Sequence, residues 1–189
     1  MAELLKDRAF FDRSGGGVTL SGGEVLLQSA FAAEVLAALR AEGIHTAVDT
    51  AGDVPYEAFE QVLPHTELFL YDVKAADPEQ HREGCGRDNG RILANLRHLS
   101  GAGANIRLRV PVIPGFNDAD ARMEGIAALI AGLPERHPVD LLRFHRMGSG
   151  KYEGLDQSYR AQALSPPDDQ RMEALAGLFR RHGIDVQTH

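Results

Sequence analysis

Short runs of branched and aromatic residues alternate along this chain with segments of helical periodicity, and that alternation restricts the fold more than any other feature. Val18–Leu20, Thr46–Asp49, Leu68–Val73, Ile106–Ile113, Val139–Phe144 and Ile184–Gln187 read as strands. Between them, Leu27, Phe31, Val35, Leu36 and Leu39 recur at helical spacing and end at Gly43, and Pro55 opens a helix that runs to Leu63. Asp77-Pro78 starts a short helical turn broken by Gly84, Gly86 and Gly90; further helices cover Ile92–Leu99, Ala119–Leu133 and Pro167–Arg181. Strict alternation builds right-handed β-α-β units and therefore an α/β fold with a parallel sheet. Such a sheet is either open and doubly wound or curled into part of a barrel. The run Leu68–Val73 has no polar residue before Asp72 and reads as buried on both faces. Pro111, inside the fourth strand, marks an irregular end or a place without a ladder partner. The 189 residues fit one domain spanning 1–189.

The strand ends separate the two sheet types, because a barrel carries its chemistry at the end of every strand and a doubly wound sheet at one switch point. Here the ends carry Ser21, Gly22, Gly23 and Glu24, then Asp49 and Thr50, then Asp72 and Lys74, then Arg109, then His145. Taken singly, each has a packing explanation: Glu24 starts a helix, Asp49 caps a turn, Asp72 pairs with Lys74, Arg109 lies on the surface, His145 is a core histidine. Taken together they favour the curled sheet, since every coincidence would have to fall at the same end. Adjacent glycines let a ligand lie against the backbone. Glu24 suits an ammonium group, Lys74 and Arg109 suit a carboxylate, and Asp49 with Asp72 form a candidate site for a hard cation.

Composition removes several classes. A net charge of −7 argues against a nucleic-acid-binding surface, and no apolar run is long enough to span a bilayer or act as a signal peptide, so a cytoplasmic protein is expected. Cys85 is the only cysteine, which excludes an intrachain disulfide and any all-cysteine metal or cluster site built from these residues alone.

Gly15–Gln28 (GGGVTLSGGEVLLQ), His45–Gly52 (HTAVDTAG), Tyr71–Lys74 (YDVK), Asp77–Asn89, Arg109–Asp118 (RVPVIPGFND) and Phe144–Tyr152 (FHRMGSGKY) resemble, in order and spacing, the activating enzymes of glycyl radical enzymes, typified by pyruvate formate-lyase activating enzyme, within the radical S-adenosylmethionine (SAM) superfamily. The resemblance implies a partial (β/α)6 TIM-like barrel, here without its first β/α unit. It implies that Ser21, Gly22, Gly23 and Glu24 meet the amino group of SAM, that Asp49, Thr50 and Asp72 lie near the methionine moiety where a monovalent cation also binds, and that Lys74, Arg109 and His145 contact the same cofactor. The implied reaction is reductive cleavage of SAM by a [4Fe-4S] cluster, giving a radical that takes hydrogen from a glycine of a partner enzyme. The family's cluster-binding CxxxCxxC segment has no counterpart here; Cys85 stands alone where threonine is usual, and Val25 replaces the usual proline. The chain is therefore expected to be inactive by itself, as a fragment or as one part of a split protein with a cluster-bearing half. Two competing readings are an aldolase-like barrel with Lys74 as Schiff-base lysine and a non-catalytic partner-docking module using the Ser149–Ser165 loop.

Without a preceding strand, Val18–Leu20 would form a bare sheet edge. Self-association through that edge is expected: sedimentation should show a concentration-dependent dimer. A monomer at all concentrations, with slow amide exchange at Val18–Leu20, would contradict this.

Overall fold

The computed structural model describes residues 4–145 and 164–189. A 3-10 turn (Leu4–Asp7) and helix α1 (Arg8–Ser14) precede the first strand. The strands are β1 (Gly17–Leu20), β2 (His45–Thr50), β3 (Leu68–Asp72), β4 (Ile106–Val112), β5 (Val139–Arg143) and β6 (Val186–Thr188). The connecting helices are α2 (Ser29–Ala41), α3 (Tyr56–Val62), α4 (Pro78–Cys85), α5 (Gly90–Gly101), α6 (Asp120–Ala131) and α7 (Asp169–Arg181). Every adjacent strand pair is parallel, and spatial order follows chain order, β1-β2-β3-β4-β5-β6. A doubly wound sheet must reverse its order at a switch point; this sheet never does, so right-handed crossovers place the helices on one face. The result is a partial barrel of the curled type. Among the described residues β1 pairs only with β2, which makes it an edge strand as expected.

Alternation within the strands sorts the two faces. In β4, Ile106, Leu108, Val110 and Val112 are buried and Arg107, Arg109 and Pro111 are half-buried on the opposite face. The same alternation puts Phe69 and Tyr71 of β3 against the helices, with Leu68, Leu70 and Asp72 half-buried on the inner side. Leu68–Val73 is therefore not buried on both faces as its sequence suggested; a sheet that does not close leaves its concave side partly open to water. The core lies on the helix side, where α2 contributes Ala32, Leu36 and Leu39, α5 contributes Leu96 and Leu99, α6 contributes Met123 and Ile126, and α7 contributes Leu175 and Phe179.

Helix boundaries follow from local chemistry. Asp77 caps α4 by accepting the Gln80 N–H at 2.8 Å, with Pro78 at the first helical position, and Asp168 caps α7 by accepting the Arg171 N–H at 2.7 Å. Gly84, expected to break α4, lies inside it, where its missing side chain lets the Phe116 ring approach. The helix ends at Gly86, whose φ of 77° only glycine adopts without strain. Leu27 and Phe31, expected on the buried face of the second helical segment, are instead 74% and 65% exposed. Leu27 falls in a 3-10 turn, Val25–Gln28, whose tighter winding takes it out of the α-helical phase, while Phe31 lies in α2 itself, off the Ala32-Leu36-Leu39 stripe that faces the core. No helix among the described residues is long and apolar enough to cross a membrane. Of the predicted loop Ser149–Ser165, residues 149–163 lie outside the described residues.

Two consequences can be measured. Gly52 has φ of 80°, and a Cβ there would fall 1.9 Å from the Tyr71 hydroxyl, which is itself held by the Ile92 carbonyl at 2.7 Å. Gly52→Ala should lower unfolding free energy by about 1–3 kcal/mol in urea titration. His137 is buried, its Nε2 lying 2.8 Å from Ser100 Oγ, which already accepts the Glu135 N–H at 3.0 Å. Burial lowers the His137 pKa against a weaker opposing pull from Glu135. Because the unfolded state takes up this proton first, the contribution is complete above about pH 6.5 and shrinks as pH falls toward the folded pKa. The urea midpoint should drop between about pH 7 and about pH 5, and His137→Gln should flatten part of that slope.

Candidate functional site

At the C-terminal ends of β1 to β4 the inner-face side chains form one connected row. Asp72 and Arg109 are register partners on adjacent strands, and Asp49 stands opposite Leu70, two residues before Asp72 on the same face. Register therefore brings a carboxylate, a guanidinium and a second carboxylate together. Arg109 donates from Nε at 3.0 Å and from Nη2 at 2.8 Å to Asp72 Oδ1, and the same Nη2 bonds Asp49 Oδ1. Beyond each acid the row continues: Ser21 Oγ donates to Asp49 Oδ2 at 3.0 Å, and Lys74 Nζ lies 3.1 Å from Asp72 Oδ2. Ser21, Asp49, Arg109, Asp72 and Lys74 thus alternate donors and acceptors across four strand ends.

These groups are half-buried, with Asp49, Asp72, Lys74 and Arg109 side chains between 21% and 28% exposed. Burial opposes the Arg109 charge, yet the Asp72 and Asp49 carboxylates together outweigh it and hold the guanidinium above its ordinary range. Asp49 and Asp72 were read as oxygen ligands for a cation; what lies between them is the Arg109 guanidinium. Among the described residues no group of three or more His, Cys, Asp or Glu side chains is gathered as for a metal ion.

Glu24 takes the helix-start part that its position suggests, and it also ties two loops together. Its Oε1 accepts the Leu26 N–H at 3.2 Å and the Thr50 hydroxyl at 2.9 Å, while Oε2 accepts the Ala51 N–H at 3.0 Å. The carboxylate caps the 3-10 turn and ties the β1 loop to the β2 loop. Thr50 passes the connection on, accepting the Gly52 N–H at 2.9 Å. The Thr50 hydroxyl also lies 3.0 Å from Oε2, so the roughly four acceptor positions of the ionised carboxylate are all engaged or shared within the protein. Val25 stands at the first position of this turn, where proline is also favoured because the N–H there has no helical acceptor.

Beside the row, Gly22 and Gly23 face open space: a Cβ on either would meet nothing within 4 Å, and Gly22 has φ of 150°. They line a cleft of about 290 Å³ with Leu20, Ser21, Val25 and Phe31. A smaller cleft of about 170 Å³ joins Lys74 to His81 and Cys85. Cys85 is exposed; partial burial of its sulfur pushes the thiol up, and the Lys74 ammonium partly offsets this. Another cleft of about 290 Å³, lined by Ile130, Glu135, Arg136 and Gly183, lies before β5 and β6, at the opposite end of the sheet from the charged row.

The structure thus gathers nine of the sequence-predicted residues, Ser21, Gly22, Gly23, Glu24, Asp49, Thr50, Asp72, Lys74 and Arg109, at one rim. His145 follows β5 at the same end of the sheet and is exposed; no hydrogen bond among the described residues ties it to the row. A Schiff-base role for Lys74 fits poorly, because an ammonium paired with Asp72 has no lone pair to attack a carbonyl.

Three buried asparagines hold the rim loops without being marked as site residues by the sequence; Asn89 Nδ2 donates to the Ala75 carbonyl at 2.8 Å. Asn95 Nδ2 donates to the Gly52 and Val54 carbonyls at 2.9 and 2.8 Å, fixing the β2 loop. Asn117 Nδ2 donates to the Lys74 and Pro111 carbonyls at 2.9 and 2.7 Å, while its Oδ1 accepts the Ile113 N–H at 2.8 Å. For Asn95 the available signal was an amide within the apolar run Ile92-Leu93-Ala94-Asn95-Leu96.

Residues 1–124 match the Radical SAM superfamily. The trans-4-hydroxy-L-proline dehydratase activating enzyme of Clostridioides difficile is 39% identical over 188 residues, which cover 98% of this chain and 62% of that protein. The pyruvate formate-lyase-activating enzyme of Clostridium pasteurianum is 34% identical over 93% of this chain and 73% of its own length. The crystal structure of a domain of pyruvate-formate lyase-activating enzyme from Bacteroides vulgatus superposes with a TM-score of 0.77 at 29% identity, covering 92% of this chain and 99% of that one. The strand order, the rim of charged residues and these similarities agree: the chain belongs to the glycyl radical enzyme activating enzyme family of the radical SAM superfamily.

Proposed function

We propose that this chain is the SAM-binding portion of a glycyl radical enzyme activating enzyme. The observation that carries the reading is the row from Ser21 through Asp49, Arg109 and Asp72 to Lys74, set beside an open Gly22-Gly23 turn. SAM presents an ammonium and a carboxylate on one carbon, so it needs acceptors and donors side by side, and the rim offers both. Arg109 and Lys74 meet the carboxylate. The exposed backbone at Gly22 and Gly23 meets the ammonium, with the Glu24 carboxylate, which the Thr50 hydroxyl spans, as the nearby negative charge. Ser21 and Thr50 hold Asp49 and Glu24 in place. Asp49 and Asp72 are proposed as ligands of a monovalent cation in exchange for the Arg109 guanidinium, and His145 as a further contact from the end of β5.

SAM together with a cluster would supply the radical chemistry, with this chain's rim residues holding and orienting SAM; the proposed partner is a glycyl radical enzyme. A [4Fe-4S] cluster is held by cysteine thiolates, and the 189 residues carry Cys85 alone. The cluster does not fit the residues present, so what this polypeptide provides is binding and orientation, not the electron.

Calorimetry with SAM tests the reading. The parent chain should bind, and Arg109→Ala should weaken binding about tenfold or more, the scale of one charge-assisted hydrogen bond. Arg181→Ala, on the exposed face of α7, should leave affinity unchanged. Absence of binding by the parent, or equal affinity in the Arg109 variant, would overturn it.

A further inference from the structure

The ladder between β3 and β4 stops at a particular atom. Register pairs Asp72 with Arg109, and the Val73 N–H continues the ladder by donating to the Arg109 carbonyl at 2.9 Å. In an evenly spaced parallel ladder the next rung is a donation from residue 111 to the Val73 carbonyl. Residue 111 is proline and has no N–H to give. On its other side Pro111 stays in register with Leu142 of β5, so β4 itself continues while β3 separates from it.

Asn117 occupies the place where the strands part. Fully buried, it gives both amide hydrogens to carbonyls on the separated segments, Lys74 after β3 and Pro111 in β4, and takes the Ile113 N–H on its oxygen. Its hydrogen-bonding capacity is used to join these two segments. The segments it joins carry Lys74 itself and, two residues before Pro111, Arg109.

We propose that Asn117 is a positioning residue for the strand-end row: with Pro111 as the break and the Asn117 amide as the spacer, it sets where the Lys74 ammonium and the Arg109 guanidinium stand relative to Asp72. A rung at residue 111 would draw the Val73-Lys74 backbone back toward β4. The proline prevents this, and the amide fixes the separation. The consequence for ligand affinity rests on the SAM-binding reading; the geometric claim does not.

Three variants test it in the full chain: Asn117→Ala, Asn117→Asp, and Asn117→Ala combined with Pro111→Ala. Asn117→Asp keeps the acceptor for Ile113 but loses both donations. The double variant supplies the missing N–H and should recover thermal stability lost by Asn117→Ala without restoring the spacing. Three quantities are read: the melting temperature, solvent exchange of the Arg109 Nε–H by nitrogen-15 NMR, and SAM affinity by calorimetry. Exchange should quicken and affinity should fall, each about tenfold or more, in Asn117→Asp and in the double variant even where the melting temperature is regained. Arg109 exchange unchanged from the parent in folded Asn117→Asp or double variant would overturn the proposal. If the parent binds no SAM, the proposed function fails and Arg109 exchange alone decides the role of Asn117.

Discussion

Arg109 makes the rest of the rim possible. Two half-buried carboxylates on neighbouring strands repel each other and resist desolvation, and a guanidinium donating to both relieves each cost at once. Its fork reaches Asp72 from two nitrogens while one of them bridges to Asp49, an arrangement the single ammonium of lysine cannot reproduce. Because the three residues come from β4, β3 and β2, the same contacts that hold the charges also tie the strand ends together where the backbone ladder runs out. Cohesion of the sheet's rim thus depends on the same side chain that the proposed SAM site uses.

The curled sheet gives this arrangement its sidedness. Sequential strand order leaves one face to the helices and one to solvent, and the strand alternation fills the first with Val48, Phe69, Tyr71, Leu108 and Leu141. The second carries Asp49, Asp72 and Arg109 near its upper rim, with Arg107 and Asp140 paired at 2.9 Å below them. The unclosed concave side keeps Asp49, Asp72 and Arg109 in partial contact with water, while the buried Asp140 relies on its ion pair with Arg107.

Loops that bear the chemistry are held by amides and hydroxyls more than by apolar packing. Glu24 and Thr50 join the first two loops, Asn95 fixes the second, and Asn117 joins the third and fourth. Each of these groups bonds backbone beyond the end of a strand, where ladder hydrogen bonds are no longer available. Buried backbone polar groups must find partners, and a short polar side chain aimed back at them supplies the partner without lengthening the strand.

Much of this was legible from local pattern. Strands and helices fell close to where the periodicity puts them, and eight rim residues from Ser21 to Lys74 lie at or just past strand ends, which a parallel sheet sends to the same side; Arg109, in the middle of β4, reaches the rim because its register partner is Asp72. Pro111, which its sequence marks as an irregular end or a place without a ladder partner, has no register partner in β3 but stays in register with Leu142 of β5. Three things were not legible: that Leu27 and Phe31 point outward, that Glu24 spends its oxygens on the protein's own backbone, and that Arg109 bridges Asp49, sixty residues away. Sequence determined which elements form and which residues stand at their ends, since helix and strand periods and turn residues act over a few positions. Tertiary structure alone decided which charges touch and which loops are joined, since those depend on the register between strands distant in the chain, and no local pattern encodes it.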